Sequence, residues 1–130
     1  MSRFVRFNAV GIGGFAIQLG VLALLLRLGV HYLPATLAAV EAAILHNFLW
    51  HERWTWRDRP AGGPARLARL RRFHAVNGVV SLAGNVILMR LLVGGFGMPP
   101  VAANVAAVAA CSLINYSSSD RIVFRRPAGR

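Results

Sequence analysis

The sequence predicts an all-α integral membrane protein with four transmembrane helices, arranged as two helical hairpins with both termini on the cytoplasmic side. Three observations predict this fold. The chain of 130 residues is 56% hydrophobic yet has a formal net charge of +11. Its apolar residues form runs of bilayer length that are separated by arginine clusters, and its two halves resemble each other. A water-soluble domain of this size cannot bury so much apolar surface. Because the arginines flank apolar spans, we expect no nucleic-acid partner.

The first predicted span covers residues 9–26, in which Gln18 is the one polar side chain. At about 1.5 Å per residue this helix is ~27 Å long, close to the hydrocarbon thickness of a bilayer. A signal peptide is the alternative, because Arg3 and Arg6 precede the run. No small-residue cleavage pattern follows the run, and three more apolar runs do. This favours a transmembrane span.

The other predicted spans cover residues 33–50, 73–93 and 101–116. They are expected to be helical, because lipid offers no hydrogen-bond partner to an open backbone. The connections at 27–33 and 94–100 are short, so each pair of spans forms a hairpin. Residues 65–72 carry arginines at 66, 69 and 72 with Leu67 and Leu70 between them, and predict a short interfacial helix before the third span. The chain is thus one membrane domain, with repeat one at 3–59, a linker at 60–68 and repeat two at 69–126.

Orientation follows from the arginines, since cytoplasmic loops of membrane proteins are enriched in positive charge. With four spans, thirteen of the 15 basic residues lie on the side of the termini and of the central loop. Arg27 and Arg90 alone lie toward the other side. The sequence therefore predicts cytoplasmic termini and a cytoplasmic central loop.

The two hairpins look like copies of one unit. Residues 3–10 (RFVRFNAV) and 69–76 (RLRRFHAV) are identical at five of eight positions. At the other end, Asn47-Phe48 followed by Arg53 matches Asn115-Tyr116 followed by Arg121, with the same spacing. A unit with an even number of spans repeats in the same orientation, so this is a parallel repeat.

These end motifs carry a family resemblance. Arg6-Phe7 opens the first span, and Asn47-Phe48-x4-Arg53-Trp54-Thr55-Trp56 closes the second, as in the GtrA-like family, which this chain resembles over nearly its whole length. The resemblance implies a small four-span protein of a bacterial cytoplasmic membrane, involved in cell-surface polysaccharide synthesis. It also implies translocation of a polyprenyl-phosphate-linked sugar, such as undecaprenyl-phosphate glucose. Trp56 stands where the family usually has phenylalanine, and the second copy lacks the tryptophans, so the first copy is the better candidate for a shared function.

Arginines at the cytoplasmic ends of the spans are candidate phosphate-binding groups, because a guanidinium offers forked donors to phosphate oxygens. The candidates are Arg53 and Arg121, together with Arg6 and Arg72 in the opening motifs. Trp54 and Trp56 lie beside Arg53 and are candidates for contact with the sugar or the prenyl chain. The alternative is an aromatic belt with topological anchors, as in many membrane proteins.

Polar residues within the predicted spans are candidate sugar-binding groups: Glu41, Asn47, Asn85 and Asn115. Glu41 is the acidic residue inside a span, and an intramembrane carboxylate is costly unless it is protonated, paired or water-facing. For each asparagine the alternative is an interhelical hydrogen bond. Arg27 and Arg90 are candidates to receive the phosphate on the outer side, and snorkelling to the interface is the alternative.

The sequence carries no catalytic constellation, no metal-ligand spacing among its histidines and no phosphate-cradling GxxxxGK[ST] segment, so we expect no enzyme activity, metal or cofactor. Two alternatives to a flippase stay open. One is a non-transporting subunit that anchors or regulates a polyprenyl-phosphate glycosyltransferase. The other is a small multidrug exporter, although the glutamate of those exporters lies in the first span. Alanine strips at 35/39/43 and 102/106/110 permit close helix packing, either within the bundle or between subunits, and we expect at least a homodimer.

Overall fold

The computed structural model describes residues 1–125, except for the side chains of residues 32, 33, 82, 85, 86, 100, 101, 104, 105 and 108. In this part of the chain there are four α-helices and no strand: α1 (Arg3–Arg27), α2 (Tyr32–Trp50), α3 (Gly63–Met89) and α4 (Pro100–Ser118). A π-helical turn follows each of the last three, at His51–Thr55, Arg90–Gly95 and Ser119–Val123. The chain divides into two compact units, Met1–Pro60 and Ala61–Arg130.

The first unit is a hairpin of α1 and α2. Helix α1 starts at a serine cap, since Oγ of Ser2 accepts a hydrogen bond from the Val5 backbone N–H at 3.3 Å. It ends in a glycine-based cap in which Gly29 has a φ of +80°. There the Val30 N–H donates to the Leu25 carbonyl and the Gly29 N–H to the Leu26 carbonyl. These two hydrogen bonds satisfy carbonyls that the end of a helix leaves without partners, and the cap reverses the chain within four residues.

Helix α2 packs through a line of residues four apart, which we call the first stripe: Ala35, Ala39, Ala43, Asn47 and His51. The three alanines and His51 are buried, and Asn47 is half-buried. Residues four apart share one face of a helix, and alanine lets the partner backbone come close. The alanine strip predicted at 35/39/43 is therefore the packing face of α2.

The second unit has the same construction one repeat later. Its second stripe consists of Ala103, Ala107, Cys111, Asn115 and Ser119, all buried, and each lies 68 positions after its counterpart in the first stripe. The strip predicted at 102/106/110 is not the line that packs within this unit, because Ala102 and Ala106 are exposed, and a role for it between subunits stays a prediction. An alanine-rich helix offers several small-residue lines, and the polar continuation through Asn115 and Ser119 marks the one that packs.

Helix α3 starts earlier than predicted. It begins at Gly63, with Pro64 as its second residue, and continues without a break to Met89. Proline suits a first turn, where its missing N–H has no intrahelical partner to lose. The predicted interfacial helix at 65–72 is thus the first part of α3, and residues 63–68 of the predicted linker are helical.

Large apolar side chains are exposed on all four helices. Ile12 and Leu37 are both 73% exposed, Val79 is 65% exposed and Leu113 is 55% exposed. Among the described residues, α1 is the one helix that is long and apolar enough to cross a membrane, with 11% of its most apolar window buried. The core helix of a soluble protein would be mostly buried instead. Exposed apolar surface on this scale is typical of a protein that faces lipid.

Candidate functional site

The start of α1 and the segment after α2 come together at one end of the first unit. Arg3 forms an ion pair with Asp58 at 2.5 Å. One turn later, Nη1 of Arg6 donates to the Trp54 carbonyl at 3.3 Å, and its guanidinium carbon lies 5.9 Å from the centre of the Trp54 ring. Nε of Arg6 is buried and has no hydrogen-bond partner among the described residues. The structure therefore brings together two of the predicted site residues, Arg6 and Trp54, which are 48 positions apart.

Beneath this contact lies an aromatic cluster of Phe7, His51 and Trp56. The rings of Phe7 and His51 are stacked, with centroids 4.5 Å apart, and Trp56 meets Phe7 edge-on at 6.0 Å. Nδ1 of His51 and Oγ1 of Thr55 share a hydrogen bond of 3.0 Å. Burial, with the nearby His46 as a second cause, lowers the pKa of His51 to about 3. His51 is thus a neutral packing residue at neutral pH.

Trp56 does not fit its predicted role. Its side chain is 0% exposed, so neither ring face is open to a sugar or to a prenyl chain. The π-helical turn at His51–Thr55 closes with a hydrogen bond of 2.8 Å from the Trp56 backbone N–H to the His51 carbonyl. This turn directs the Trp56 side chain toward Phe7 of α1. Trp56 packs the end of the hairpin.

Asn47 lies against α1 at two consecutive glycines. A Cβ at Gly14 would be 2.6 Å from Cγ and 2.7 Å from Nδ2 of Asn47, and one at Gly13 would be 3.2 Å from Cε1 of His46. Real Cβ atoms do not come within 3.0 Å of such neighbours. The glycines thus make room for the two polar side chains, and Nδ1 of His46 lies 3.2 Å from Oδ1 of Asn47.

The second unit repeats the aromatic contact but not the arginine contact. Phe73 and Phe124 meet edge-on at 6.2 Å, where the first unit has Phe7 and Trp56. The buried Arg69 lies over Phe124, its guanidinium carbon 5.1 Å from the ring centre. Ile122 takes the place of Trp54 and is 50% exposed. Arg72, the counterpart of Arg6, is exposed.

Asn115 holds the second unit together. Its Nδ2 donates to Oγ of Ser81 at 3.0 Å, and Nδ2 of Asn77 donates to Oγ of Ser119 at 3.2 Å. Sγ of Cys111 donates to the Val80 carbonyl at 3.8 Å. These bonds join α3 to α4 along the second stripe. For Asn115 the alternative of an interhelical hydrogen bond is the one observed.

The remaining predicted residues lie on the surface of their units. Arg53 and Arg121 are exposed on the π-helical turns, and neither forms an ion pair with another described residue. Arg27 is exposed at the end of α1, and Arg90 is exposed directly after α3. Glu41 is exposed on α2. The side chain of Asn85 lies outside the described residues.

Two features of this site were not predicted from the sequence: the packing of His51 against Phe7 and Trp56, and the close approach at the glycines of α1. The signal for His51 was the four-residue period of the first stripe, which runs through Asn47 to His51. The pair Gly13-Gly14 inside an otherwise apolar helix marks a close approach of another element.

Comparison with known proteins adds a family and two relatives. Residues 6–124 match the family described as GtrA/DPMS, transmembrane domain. A dolichol-phosphate mannosyltransferase of Pyrococcus furiosus is 36% identical over 87 residues, which are 67% of this chain and 23% of that protein. An uncharacterized membrane protein of Bacillus subtilis, YngA, is 29% identical over 120 residues, which are 92% of this chain and 77% of YngA. The chain therefore matches less than a quarter of the mannosyltransferase and most of YngA.

Proposed function

The chain belongs to the GtrA/DPMS transmembrane-domain family, and we propose that it translocates a polyprenyl-phosphate-linked monosaccharide across the cytoplasmic membrane of a bacterium for cell-surface polysaccharide synthesis. One observation carries the proposal. The same kind of segment occurs in a protein named for dolichol phosphate, which is a polyprenyl phosphate, and makes up 77% of a second relative that is a membrane protein. A substrate of this class has a tail that stays in lipid and a polar headgroup that needs a path.

The proposed arrangement in the membrane has four spans, from α1 to α4, and two parallel copies of one hairpin. The recurring stripes and the aromatic contact at the end of each unit support two copies. Reporter fusions test the topology. Fusions after Arg59 and after Arg126 should both report a cytoplasmic location, and fusions near Val30 and Gly97 an external one. An odd number of crossings between the two cytoplasmic fusions would rule out the parallel repeat.

In the proposed mechanism the arginines of the first unit gather the phosphate. Arg53 is exposed and offers its forked donors to solvent. Arg6 is held against Trp54, with Nη1 on the Trp54 carbonyl and Nε buried, so it adds positive charge behind Arg53. Arg72 and Arg121 carry the same charge in the second unit, but Arg72 has no aromatic partner among the described residues. The first unit is therefore the proposed entry site, and Arg121 and Arg72 are secondary.

Transfer of the headgroup through the bilayer is opposed by the cost of removing a phosphate from water. A protein without a nucleotide-binding motif can lower this cost only with polar groups along its helices and with coupling to an ion gradient. Glu41 on α2 is the proposed intermediate contact for the sugar, protonated or paired when the phosphate passes, because a carboxylate would repel it. Arg27 and Arg90 are the proposed receiving groups at the far ends of α1 and α3.

A reconstituted assay tests this function. The purified protein is placed in liposomes that contain a polyprenyl-phosphate glucose labelled in the sugar, and a membrane-impermeant oxidant reports which sugar lies in the outer leaflet. The protein should move labelled lipid from the inner to the outer leaflet, so that the half of the label that the oxidant cannot reach at first becomes accessible within minutes. Protein-free liposomes should not do so. Equal rates with and without the protein would overturn the proposal.

A second candidate function is a non-transporting subunit of a polyprenyl-phosphate glycosyltransferase. The observation that favours it is the mannosyltransferase relative, of which the matched segment is 23%, so this kind of segment exists in one polypeptide with such an enzyme. In that case the chain would co-purify with a membrane glycosyltransferase and change its rate. It would also leave the label inaccessible in the liposome assay.

A further inference from the structure

The last two turns of α2 carry a polar and aromatic cluster, His46, Asn47 and Trp50. The rings of His46 and Trp50 are 6.3 Å apart between centroids and inclined at 52°. His46 and Asn47 are half-buried, and Trp50 is 51% exposed. The cluster therefore combines partly accessible hydrogen-bonding groups with an open aromatic face, which are the two elements that bind a sugar ring.

The hydrogen-bond chemistry of the cluster is directional. The carboxamide oxygen of Asn47 only accepts, so the 3.2 Å contact with Nδ1 of His46 places a proton on Nδ1. In the neutral ring this leaves Nε2 as an acceptor, while Nδ2 of Asn47 remains a donor. One acceptor on His46 and one donor on the adjacent Asn47 suit hydroxyl groups, each of which can both donate and accept.

The second unit serves as an internal comparison. Its stripe has Asn115 where the first has Asn47, but the flanking positions carry Ile114 for His46 and Ser118 for Trp50. Counted from the paired phenylalanines Phe7 and Phe73, Val79 takes the position of Gly13. Asn115 also donates to Ser81 within its own hairpin. The second hairpin thus packs with the asparagine but without the histidine or the tryptophan, and its own close-approach glycine lies elsewhere, at Gly84 against Cys111.

From this we infer that His46, Asn47 and Trp50, with room made by Gly13 and Gly14, form a sugar-recognition site in the first unit. The inference rests on the proposed function and assigns the part of the substrate that this site reads. Arg53 follows His46 by seven residues, about 10 Å along a helix. Arg53 would then bind the phosphate and His46 the sugar of the same headgroup. The sugar would lie farther along α2 toward its N-terminus than the phosphate.

Binding measurements on the full chain in lipid nanodiscs test this site. The probes are a ten-carbon prenyl phosphate and its glucose, galactose and mannose derivatives. The wild-type protein should bind at least one sugar derivative more tightly than the plain phosphate. His46→Ala and Trp50→Leu should each lose about three- to tenfold in affinity for that derivative, the range of one neutral hydrogen bond or ring contact. Their affinity for the plain phosphate should not change.

Matched variants separate recognition from folding. Ile114→Ala and Ser118→Ala change the equivalent positions of the second unit and should leave both affinities unchanged. Trp50→Phe should retain most of the preference, because an aromatic face remains.

Three results would overturn the inference: no sugar preference in the wild type, equal losses for the plain and sugar-bearing probes, or equal losses from the control variants. Binding of a sugar derivative without transport would leave this site standing and refute the proposed function. No binding of any probe by the wild type would refute both.

Discussion

The close approach of Asn47 to α1 gives the sharpest prediction about packing. In Gly14→Ala the new Cβ would be 2.6 Å from Cγ of Asn47 and 2.7 Å from its Nδ2, with Oδ1 closer still. Carbon atoms in contact are about 3.5–4.0 Å apart, so the carboxamide must move by about 1 Å. Its hydrogen bond to His46 would break with it. Overpacking costs about 1–3 kcal/mol, and a lost hydrogen bond costs about 1 kcal/mol. The better helix propensity of alanine returns about 1 kcal/mol.

The net expectation for Gly14→Ala is therefore a destabilisation of about 1–3 kcal/mol. Gly20→Ala and Gly11→Ala are matched controls on the same helix, since a Cβ at either position meets nothing within 4 Å. Both should be neutral or slightly stabilising. Unfolding of the detergent-solubilised protein, followed by circular dichroism, gives the free energies.

A double variant isolates the contact. If the carboxamide is the obstacle, Asn47→Ala should recover much of the loss in the Gly14→Ala background, because residues in contact show a coupling of about 0.5–3 kcal/mol. A Gly14→Ala protein as stable as Gly20→Ala, or an additive double variant, would refute the packing of α1 on α2 described above.

Three further predictions concern charge and transport. The pKa of His51 is about 3 in the folded protein and 6.5 when exposed, so its contribution to stability is complete above pH 6.5 and is lost as the pH falls toward 3. The loss of stability is at most about 1.4 kcal/mol per pH unit, and melting curves measured from pH 7 to 5 should show it. His51→Phe should flatten this dependence of stability on pH, whereas His31→Phe, at an exposed position, should not. Arg53→Ala should slow transport in liposomes about tenfold, and Arg57→Ala should slow it little. Arg53→Lys should retain only part of the rate, because an ammonium lacks the forked contact. Equal small effects from all three variants would make these arginines topological anchors. Glu41→Gln should fold and insert but transport more slowly, and Glu41→Ala more slowly still; wild-type rates from both at matched protein levels would leave Glu41 outside the path.

The helices themselves could be predicted well from the sequence, and the contacts between them could not. Helices α2 and α4 lie within two residues of the predicted spans, because each apolar run has clear ends, whereas α1 begins at Arg3, before its predicted span at 9–26. The start of α3 was missed because Gly63 and Pro64 look like a linker, although proline is also a normal first-turn residue.

At the candidate site, individual residues could likewise be predicted from the sequence, but the contacts between them could not. Arg6 and Trp54 were both candidates, yet their contact joins positions 48 apart and depends on tertiary structure. Trp56 was expected to face substrate and is buried, because the π-helical turn changes the helical phase after Trp50. A period of four residues in α4 fits several lines of small side chains, so the sequence alone does not identify the line that packs against α3.

We propose that the headgroup enters at the first unit and that the equivalent Arg121 of the second unit is secondary. The most direct measurement is the rate of transbilayer movement of the labelled polyprenyl-phosphate glucose in liposomes that contain Arg53→Ala or Arg121→Ala, two exposed arginines at equivalent positions. Arg53→Ala should slow the movement about tenfold, the loss of roughly one charge-assisted hydrogen bond, and Arg121→Ala should stay near the wild-type rate. Equal rates for the two variants, or a larger loss in Arg121→Ala, would rule out an entry site in the first unit.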